Sequence, residues 1–395
     1  MLKFDIHAKL PNGRGRAGTI QTPHGAIETP AFIPVGTKAT VKSLAPEQVK
    51  TLGADAILAN TYHLYLQPGT EILTKAGGLG KFMNWPGPTF TDSGGFQAFS
   101  LGAAFNKTAS KIGARGGREV EKEAEETHGE NFAKVTEDGV EFRSVLDGST
   151  HFFTPERSIE IQHAIAADII FAFDECTSPQ ASYEYQREAM DRTHRWAGRS
   201  LEAHKKMNKE GNRALFGIVQ GGRHEDLRKE SARTIGGMDF DGFGIGGSFD
   251  KEDIAIAVGW VVDELPEGKP RHLLGIGAPE DLILGIENGI DTFDCVAPTR
   301  IARNGSAYVR SKGKSTINLL NSEFKTDFAP IDAGCGCYTC TNYTKAYLAH
   351  LFRAKEMFAA TLVSIHNLYF LVHLAKDARK AIVDGTWEEF KKSRS

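Results

Sequence analysis

The chain of 395 residues carries 47 Lys and Arg against 50 Asp and Glu, a formal charge of −3, with 41% apolar and 25% charged residues. That balance excludes a disordered or collagen-like chain and a bulk basic field for nucleic acid, and it allows one large domain or two medium ones. The first residues, MLKFDIHAKLPNG, hold no apolar secretion core, and no unbroken apolar run is long enough to span a bilayer, so a cytoplasmic protein without a membrane span is expected.

Residues 9–30 alternate turn signals (Pro11-Asn12-Gly13, Pro23-His24-Gly25) with short mixed runs, which predicts a small antiparallel hairpin within residues 1–30. A pattern then repeats, in which an apolar run is followed by a polar or glycine break and then a helical period. The runs are Ala31–Val35, Ala56–Ala59, Thr89–Thr91, Ile169–Phe173, Leu215–Val219, Gly242–Ile245, His272–Gly275 and Thr292–Phe293. Helices are expected at Pro155–Ala167, with Thr154 as N-cap, and at Tyr183–Lys209, Glu225–Ile235, Lys251–Leu265 and Pro279–Gly289. Eight short strands alternating with helices point to an α/β fold, either a closed (β/α)₈ barrel or an open doubly wound sheet.

Most of these runs end in chemistry. After the third comes Asp92-Ser93-Gly94-Gly95-Phe96-Gln97, after the fourth Asp174-Glu175-Cys176, after the fifth Gln220-Gly221-Gly222 and after the sixth Gly246-Gly247-Ser248. Gly275 closes the seventh, and Asp294-Cys295 follows the eighth. In a barrel these segments converge on the C-terminal rim, where active sites lie. A polar loop start explains any one of them, but six in register are hard to explain that way.

Residues 103–141 are rich in Lys, Arg, Glu and Gly and read as a solvated surface insertion, partly helical around Arg118–Thr127. The stretch Asp291–Gly305, DTFDCVAPTRIARNG, ends an apolar run in Asp294 and then places Arg300 and Arg303 three residues apart. A carboxylate there is costly unless paired or used. One reading is a buried ion pair of Asp294 with Arg300; the other is a catalytic carboxylate beside an anion-gripping pair.

The five cysteines include the cluster Cys335-Gly-Cys337-Tyr-Thr-Cys340. An odd count with three clustered is not a disulfide framework and fits a metal site in a reducing compartment. Three thiolates and one histidine make a closed structural zinc set, one ion per chain. His366, in an apolar helical stretch, is the expected fourth ligand, with His350 and His373 competing on spacing. An iron–sulfur cluster ordinarily takes four cysteines. A zinc-pinned helical subdomain over residues 306–395, following a barrel at 31–305, is the expected organisation.

Six ordered motifs then carry a resemblance: TDSGGFQ (Thr91–Gln97), FDEC (Phe173–Cys176), FGIVQGG (Phe216–Gly222), FDCVAPTRIARNG (Phe293–Gly305), CGCYTC (Cys335–Cys340) and Ile365-His366-Asn367. Together they resemble the bacterial-type tRNA-guanine transglycosylases. The resemblance implies a (β/α)₈ TIM barrel with an appended zinc subdomain, usually a homodimer. The activity it implies is replacement of the wobble guanine in a G-U-N anticodon by a 7-substituted 7-deazaguanine, the precursor base of queuosine. By motif, Asp294 resembles the nucleophile and Asp92 the general acid/base. Asp174 and Gln220 resemble the readers of the base edges, with Ser93 at the wall, Gly247 offering backbone, Phe96 an aromatic face and Leu274 a floor. Arg300 and Arg303 would grip the tRNA.

Ser248-Phe249-Asp250-Lys251 departs from the family pattern beside the base substituent, which leaves the aminomethyl base preQ1, the nitrile precursor and queuine all open, preQ1 being the expected one. A catalytically silent tRNA-binding partner subunit would be expected to lack the carboxylate pair. A barrel metal hydrolase would need an open metal position on the rim. The archaeal-type enzyme would be expected to continue into RNA-binding domains beyond Ser395, where this sequence ends.

Overall fold

A computed structural model describes residues 2–11, 13–100, 133–144, 146–247, 254–311 and 314–394. At the amino end β1 (Lys3–Lys9), β2 (Arg16–Thr22) and β3 (Gly25–Thr29) form an antiparallel sheet in that order. The expected hairpin is the β2–β3 pair, and β1 adds a third strand. KFDIHAK alternates charged and apolar residues and is only half buried, so it carries a weak signal in sequence.

The ring begins with β4 (Ala31–Pro34), β5 (Ile57–Ala59) and β6 (Thr89–Thr91). A separate antiparallel sheet follows, formed by β7 (Ala133–Val135), β8 (Val140–Arg143) and β9 (Thr150–Phe153). The ring resumes with β10 (Ile169–Phe171), β11 (Ala214–Val219), β12 (Gly242–Ile245), β13 (Arg271–Leu273) and β14 (Thr292–Cys295). All neighbours pair in parallel, in the order β4-β14-β13-β12-β11-β10-β6-β5. A parallel bridge from Val35 to Leu58 joins the last strand to the first and makes the sheet a barrel. The eight expected runs coincide with the ring strands to within two residues at each end. Each is a short apolar run buried on both faces, the mark of a parallel strand under helices.

Most of the stretch read as a charged insertion, residues 103–132, lies outside the described residues, as does the helix expected around Arg118–Thr127. Residues 133–141 are not loose excursion. They enter β7 and β8, where Val140 and Phe142 are buried at alternate positions. Helices Pro155–Ile165, Tyr183–Met207, Glu225–Gly236, Ile254–Val262 and Pro279–Glu287 stand where helices were expected, and Thr154 Oγ1 accepts from the Arg157 N–H at 3.1 Å as N-cap.

Which end of the barrel is open follows from packing. Ile20 of β2 and Ile27 of β3 join the interior cluster of Phe90, Ile169, Phe171, Ala214 and Phe216. Ile169 and Ala214 begin their strands, so the amino-terminal sheet closes the N-terminal mouth. Arg16 fastens this sheet with a two-pronged bond to Asp291, 2.9 and 2.6 Å, both side chains almost fully buried. Removing one partner of such a pair costs about 3–5 kcal/mol, because the other charge stays buried. The C-terminal rim is left for chemistry.

Beyond β14 come the helix Ala297–Arg303, the hairpin β15 (Ser306–Ser311) and β16 (Lys314–Asn318), and short helices leading to the long helix Met357–Asp384. By length and composition that helix alone, among the described residues, would be long and apolar enough to cross a membrane. Its apolar window is 67% buried inside the molecule, so it is a core helix.

Candidate active site and metal centre

Asp294 is the third residue of β14, pairs in register with Ile33 of β4, and is 13% exposed. Its Oδ1 accepts from Gly275 N–H at 2.9 Å and lies 3.1 Å from His272 Nε2. Asp92 directly follows β6. Its Oδ1 accepts from Thr61 N–H at 2.8 Å, one of the orphan donors at the start of the helix Thr61–Leu66, and its Oδ2 accepts from the Asn60 side-chain amide. Asn60 serves twice, since its Oδ1 also caps that helix by accepting from His63 N–H at 3.0 Å. Both carboxylates therefore stand at the carboxyl ends of parallel strands of one ring, on one rim, each held by fixed donors.

A second carboxylate system lies beside Asp92. Ser93 Oγ donates to Asp174 Oδ1 at 2.8 Å, and Gln220 Nε2 donates to Asp174 Oδ2 at 2.7 Å. Ser93, Asp174 and Gln220 are all buried. Three strand ends, those of β6, β10 and β11, thus share one polar chain below the rim. Gly95 makes this possible, because a Cβ there would sit 2.6 Å from the carbonyl oxygen of Asp174. Phe96 stands half-buried on the helix that begins at Gly95, and Leu274 packs half-buried against the barrel interior.

Arg228, which no motif singles out, underlies the next two loops. Its guanidinium is fully buried and pushed down to about 9 by that burial, with the neighbouring Cys176 acting the other way. Nε donates to Gly222 O at 2.8 Å and Nη1 to Gly246 O at 2.6 Å. Gly247 has φ +116°, and a Cβ on it would lie 2.2 Å from Arg228 Nη2. A glycine is required there by conformation and by space. The Ser248–Lys251 loop lies outside the described residues. Arg300 and Arg303 are half-buried on the helix Ala297–Arg303, where Arg303 Nη1 donates to Thr299 O at 3.1 Å.

Away from the rim, Cys335, Cys337, Cys340 and His366 bring their ligand atoms within 4.8 Å of one another. His366 Nδ1 is 3.7, 3.5 and 3.3 Å from the three sulfurs. An ion about 2.3 Å from sulfur and about 2.0 Å from nitrogen, in tetrahedral geometry, sets those edges at about 3.5 Å. His366 Nε2 lies 2.7 Å from the carbonyl oxygen of Tyr308 and donates to it, which leaves Nδ1 as the ligand atom. Without an ion the thiols compete for protons: their mutual hydrogen bonds pull Cys335 down and push Cys340 up. Burial works against the His366 cation, but the surrounding sulfurs push it up to about 10. Three thiolates packed around one imidazole repel one another unless a positive ion lies among them. Of the competing histidines, His350 is exposed and His373 stacks on Tyr369, so His366 is the fourth member of a cluster that could hold a metal ion.

The rest of the link to the barrel was not read from the sequence. Asn367, next to His366, accepts from Tyr308 N–H at 3.0 Å and donates to Pro298 O and Ser306 O, both at 3.0 Å. Tyr308 O–H donates to Gly277 O at 3.1 Å, on the loop after β13.

Residues 12–395 match the family model described as queuine tRNA-ribosyltransferase. The chain is 49% identical over 394 residues to the queuine tRNA-ribosyltransferase of Thermoanaerobacter pseudethanolicus, covering 99% of this chain and 96% of that one. It is 46% identical over 395 residues to that of Symbiobacterium thermophilum, covering 99% and 90%, and 46% identical over 393 residues to that of Lactococcus lactis subsp. lactis, covering 99% and 94%.

Proposed function

We propose, from the premise that this chain belongs to the queuine tRNA-ribosyltransferase family and is a pentosyltransferase acting on tRNA, that it exchanges the wobble guanine of a G-U-N anticodon for preQ1 by double displacement. Asp294 is the nucleophile. One of its oxygens bonds C1′ of the ribose as the C1′–N9 bond breaks, and the electron pair leaves on guanine, which takes up a proton. Asp92 manages that proton and later removes one from N9 of the incoming base. N9 then attacks C1′, and the C1′–O bond breaks back to the Asp294 carboxylate. Two displacements retain configuration. Holding the cut tRNA covalently and away from water prevents an abasic product.

The observation that supports this reading best is the placement of two restrained carboxylates on one rim, beside the buried Ser93–Asp174–Gln220 chain. Asp174 reads the donor edge of the base, Gln220 its carbonyl edge and Gly247 its remaining face through the backbone. Phe96 and Leu274 stack on it, and the unstacked base enters the pocket from the loop. Arg300 and Arg303 hold the anticodon-loop phosphates. The metal is zinc, one per chain. It supplies no chemistry to the reaction and joins residues 306–395, through His366, to the barrel at 31–305, with residues 1–30 closing the far mouth. The working unit is a homodimer. Labelled guanine already in a G-U-N tRNA should be displaced by preQ1 more efficiently than by queuine. Preferred displacement by queuine would reverse the choice of base.

A further inference from the structure

We infer that His272 is the positioning residue that orients the Asp294 carboxylate and that speeds its return in the second displacement. This rests on the reading of Asp294 as nucleophile. His272 lies on β13 and is fully buried, with ring centroids 5.7 Å from Phe90 and 5.3 Å from Phe171. These three rings come from β13, β6 and β10, so the imidazole is clamped across the barrel interior. Its two nitrogens meet alternate residues of β14, which point to the same face. Nδ1 is 2.9 Å from Thr292 Oγ1, and Nε2 is 3.1 Å from Asp294 Oδ1. An ionised carboxylate only accepts, so in the neutral ring the proton sits on Nε2 and the Thr292 hydroxyl donates to Nδ1.

Gly275 N–H donates to the same Oδ1 at 2.9 Å. Two fixed donors on one oxygen hold the carboxylate at a set angle to the sugar. The consequence differs between the two displacements. In the first, the donors steady a charge that is about to be lost, and they act mainly by orientation. In the second, N9 attacks C1′, the C1′–O bond breaks, and negative charge returns to a carboxylate that faces two ready donors. They stabilise charge as it develops, which is where fixed dipoles act most strongly. His272 touches neither the base nor the sugar in this scheme and works through Asp294.

The test is base exchange by His272→Phe, which removes the donor and keeps an aromatic ring between Phe90 and Phe171, and by His272→Gln, whose amide nitrogen can stand where Nε2 stands. With Phe, kcat is expected to fall about 10- to 100-fold, the scale of one hydrogen bond to a charged group, and KM for tRNA to fall with it, because the first displacement is spared, while KM for the base does not fall. Denaturing gels during turnover should show more covalent enzyme–tRNA than wild type, and Gln should restore most of the rate. If the Phe variant does not fold, His272→Met removes the donor with a flexible side chain and takes its place. Wild-type kcat without the donor, a loss confined to KM, or equal impairment of the Gln and donor-less variants would overturn the inference. Asp294→Asn separates the two levels: exchange by that variant would remove the nucleophile itself, whereas a dead Asp294→Asn beside a fully active His272→Phe would remove only the role of His272.

Discussion

Gln220 donates its side-chain amide to Asp174 at 2.7 Å, across the gap between the ends of β11 and β10. Two groups proposed to read opposite kinds of base edge are thus fixed to each other before any base arrives, so little ordering remains to be done on binding. Asp174→Ala is expected to raise KM for guanine by about 10- to 100-fold, the loss of hydrogen bonds to a charged group. It should also lower the melting temperature modestly, because Ser93 and Gln220 lose their shared acceptor. Steady-state exchange with labelled guanine and a thermal scan measure both.

Gly247 and Arg228 yield a sharper steric expectation. Gly247→Ala places a methyl group 2.2 Å from Arg228 Nη2, at a φ of +116° that a side chain rarely adopts. The loop must move off the guanidinium that also holds Gly222 and Gly246. Exchange is expected to fall by at least about tenfold, mainly through KM for the base, with circular dichroism unchanged. An unaltered KM would show that this backbone does not face the base.

Much of this was legible in the sequence because a parallel barrel writes itself plainly. Buried strands are short apolar runs, and the residue that ends each run is the one that lines the rim. That is why Asp92, Asp174, Gln220 and Asp294 were found. The donors behind them were not. Asn60 reads as an ordinary N-cap, Arg228 as an ordinary polar position in a helix, and Tyr308 as a strand aromatic. Their importance comes from partners distant in sequence, such as the 59 residues between Tyr308 and Asn367. His272 had one available signal, a titratable residue inside an otherwise apolar strand run. Strands β7 and β8 were hidden because their apolar residues alternate with Lys134, Glu141 and Arg143 and read as solvated. The roles of individual carboxylates came from motif resemblance, since periodicity places a residue on a rim without assigning its chemistry.

Metal removal should act on the fold before it acts on the chemistry. One zinc per folded chain is expected by elemental analysis. Chelation, or Cys337→Ser, should lower the melting temperature substantially and expose amides of the helix Met357–Asp384 to hydrogen exchange, because the ligand His366 and its neighbour Asn367 hold the backbone at Pro298, Ser306 and Tyr308. Metal-free protein with unchanged melting and protection would leave the cluster without a structural role.

Acid sensitivity should trace in part to buried histidines. Burial pushes His63 down to about 4, helped by Lys38 and Lys42, and pushes His163 down to about 3, helped by His204; burial likewise takes His204 to about 4. The ordinary value is 6.5. Above it both folded and unfolded chains are neutral at these sites and nothing is lost. As pH falls from 6.5 toward 4, the unfolded chain binds protons that the folded chain refuses, and stability drops. His163 Nε2 and His204 Nδ1 are 3.0 Å apart, a bond an amide can replace. His163→Gln should therefore lose fewer degrees of melting temperature than wild type between about pH 7 and about pH 4.5. Equal losses would exclude this pair as a contributor.

The most direct measurement is the identity of the residue that holds the cut tRNA. Mixing the protein with a G-U-N tRNA, denaturing, and mapping the RNA-linked peptide by mass spectrometry should place an ester on Asp294. The Asp294→Asn variant should give no adduct and no exchange while melting like wild type. An adduct of equal yield from Asp294→Asn, or an ester on any other carboxylate, would contradict the mechanism.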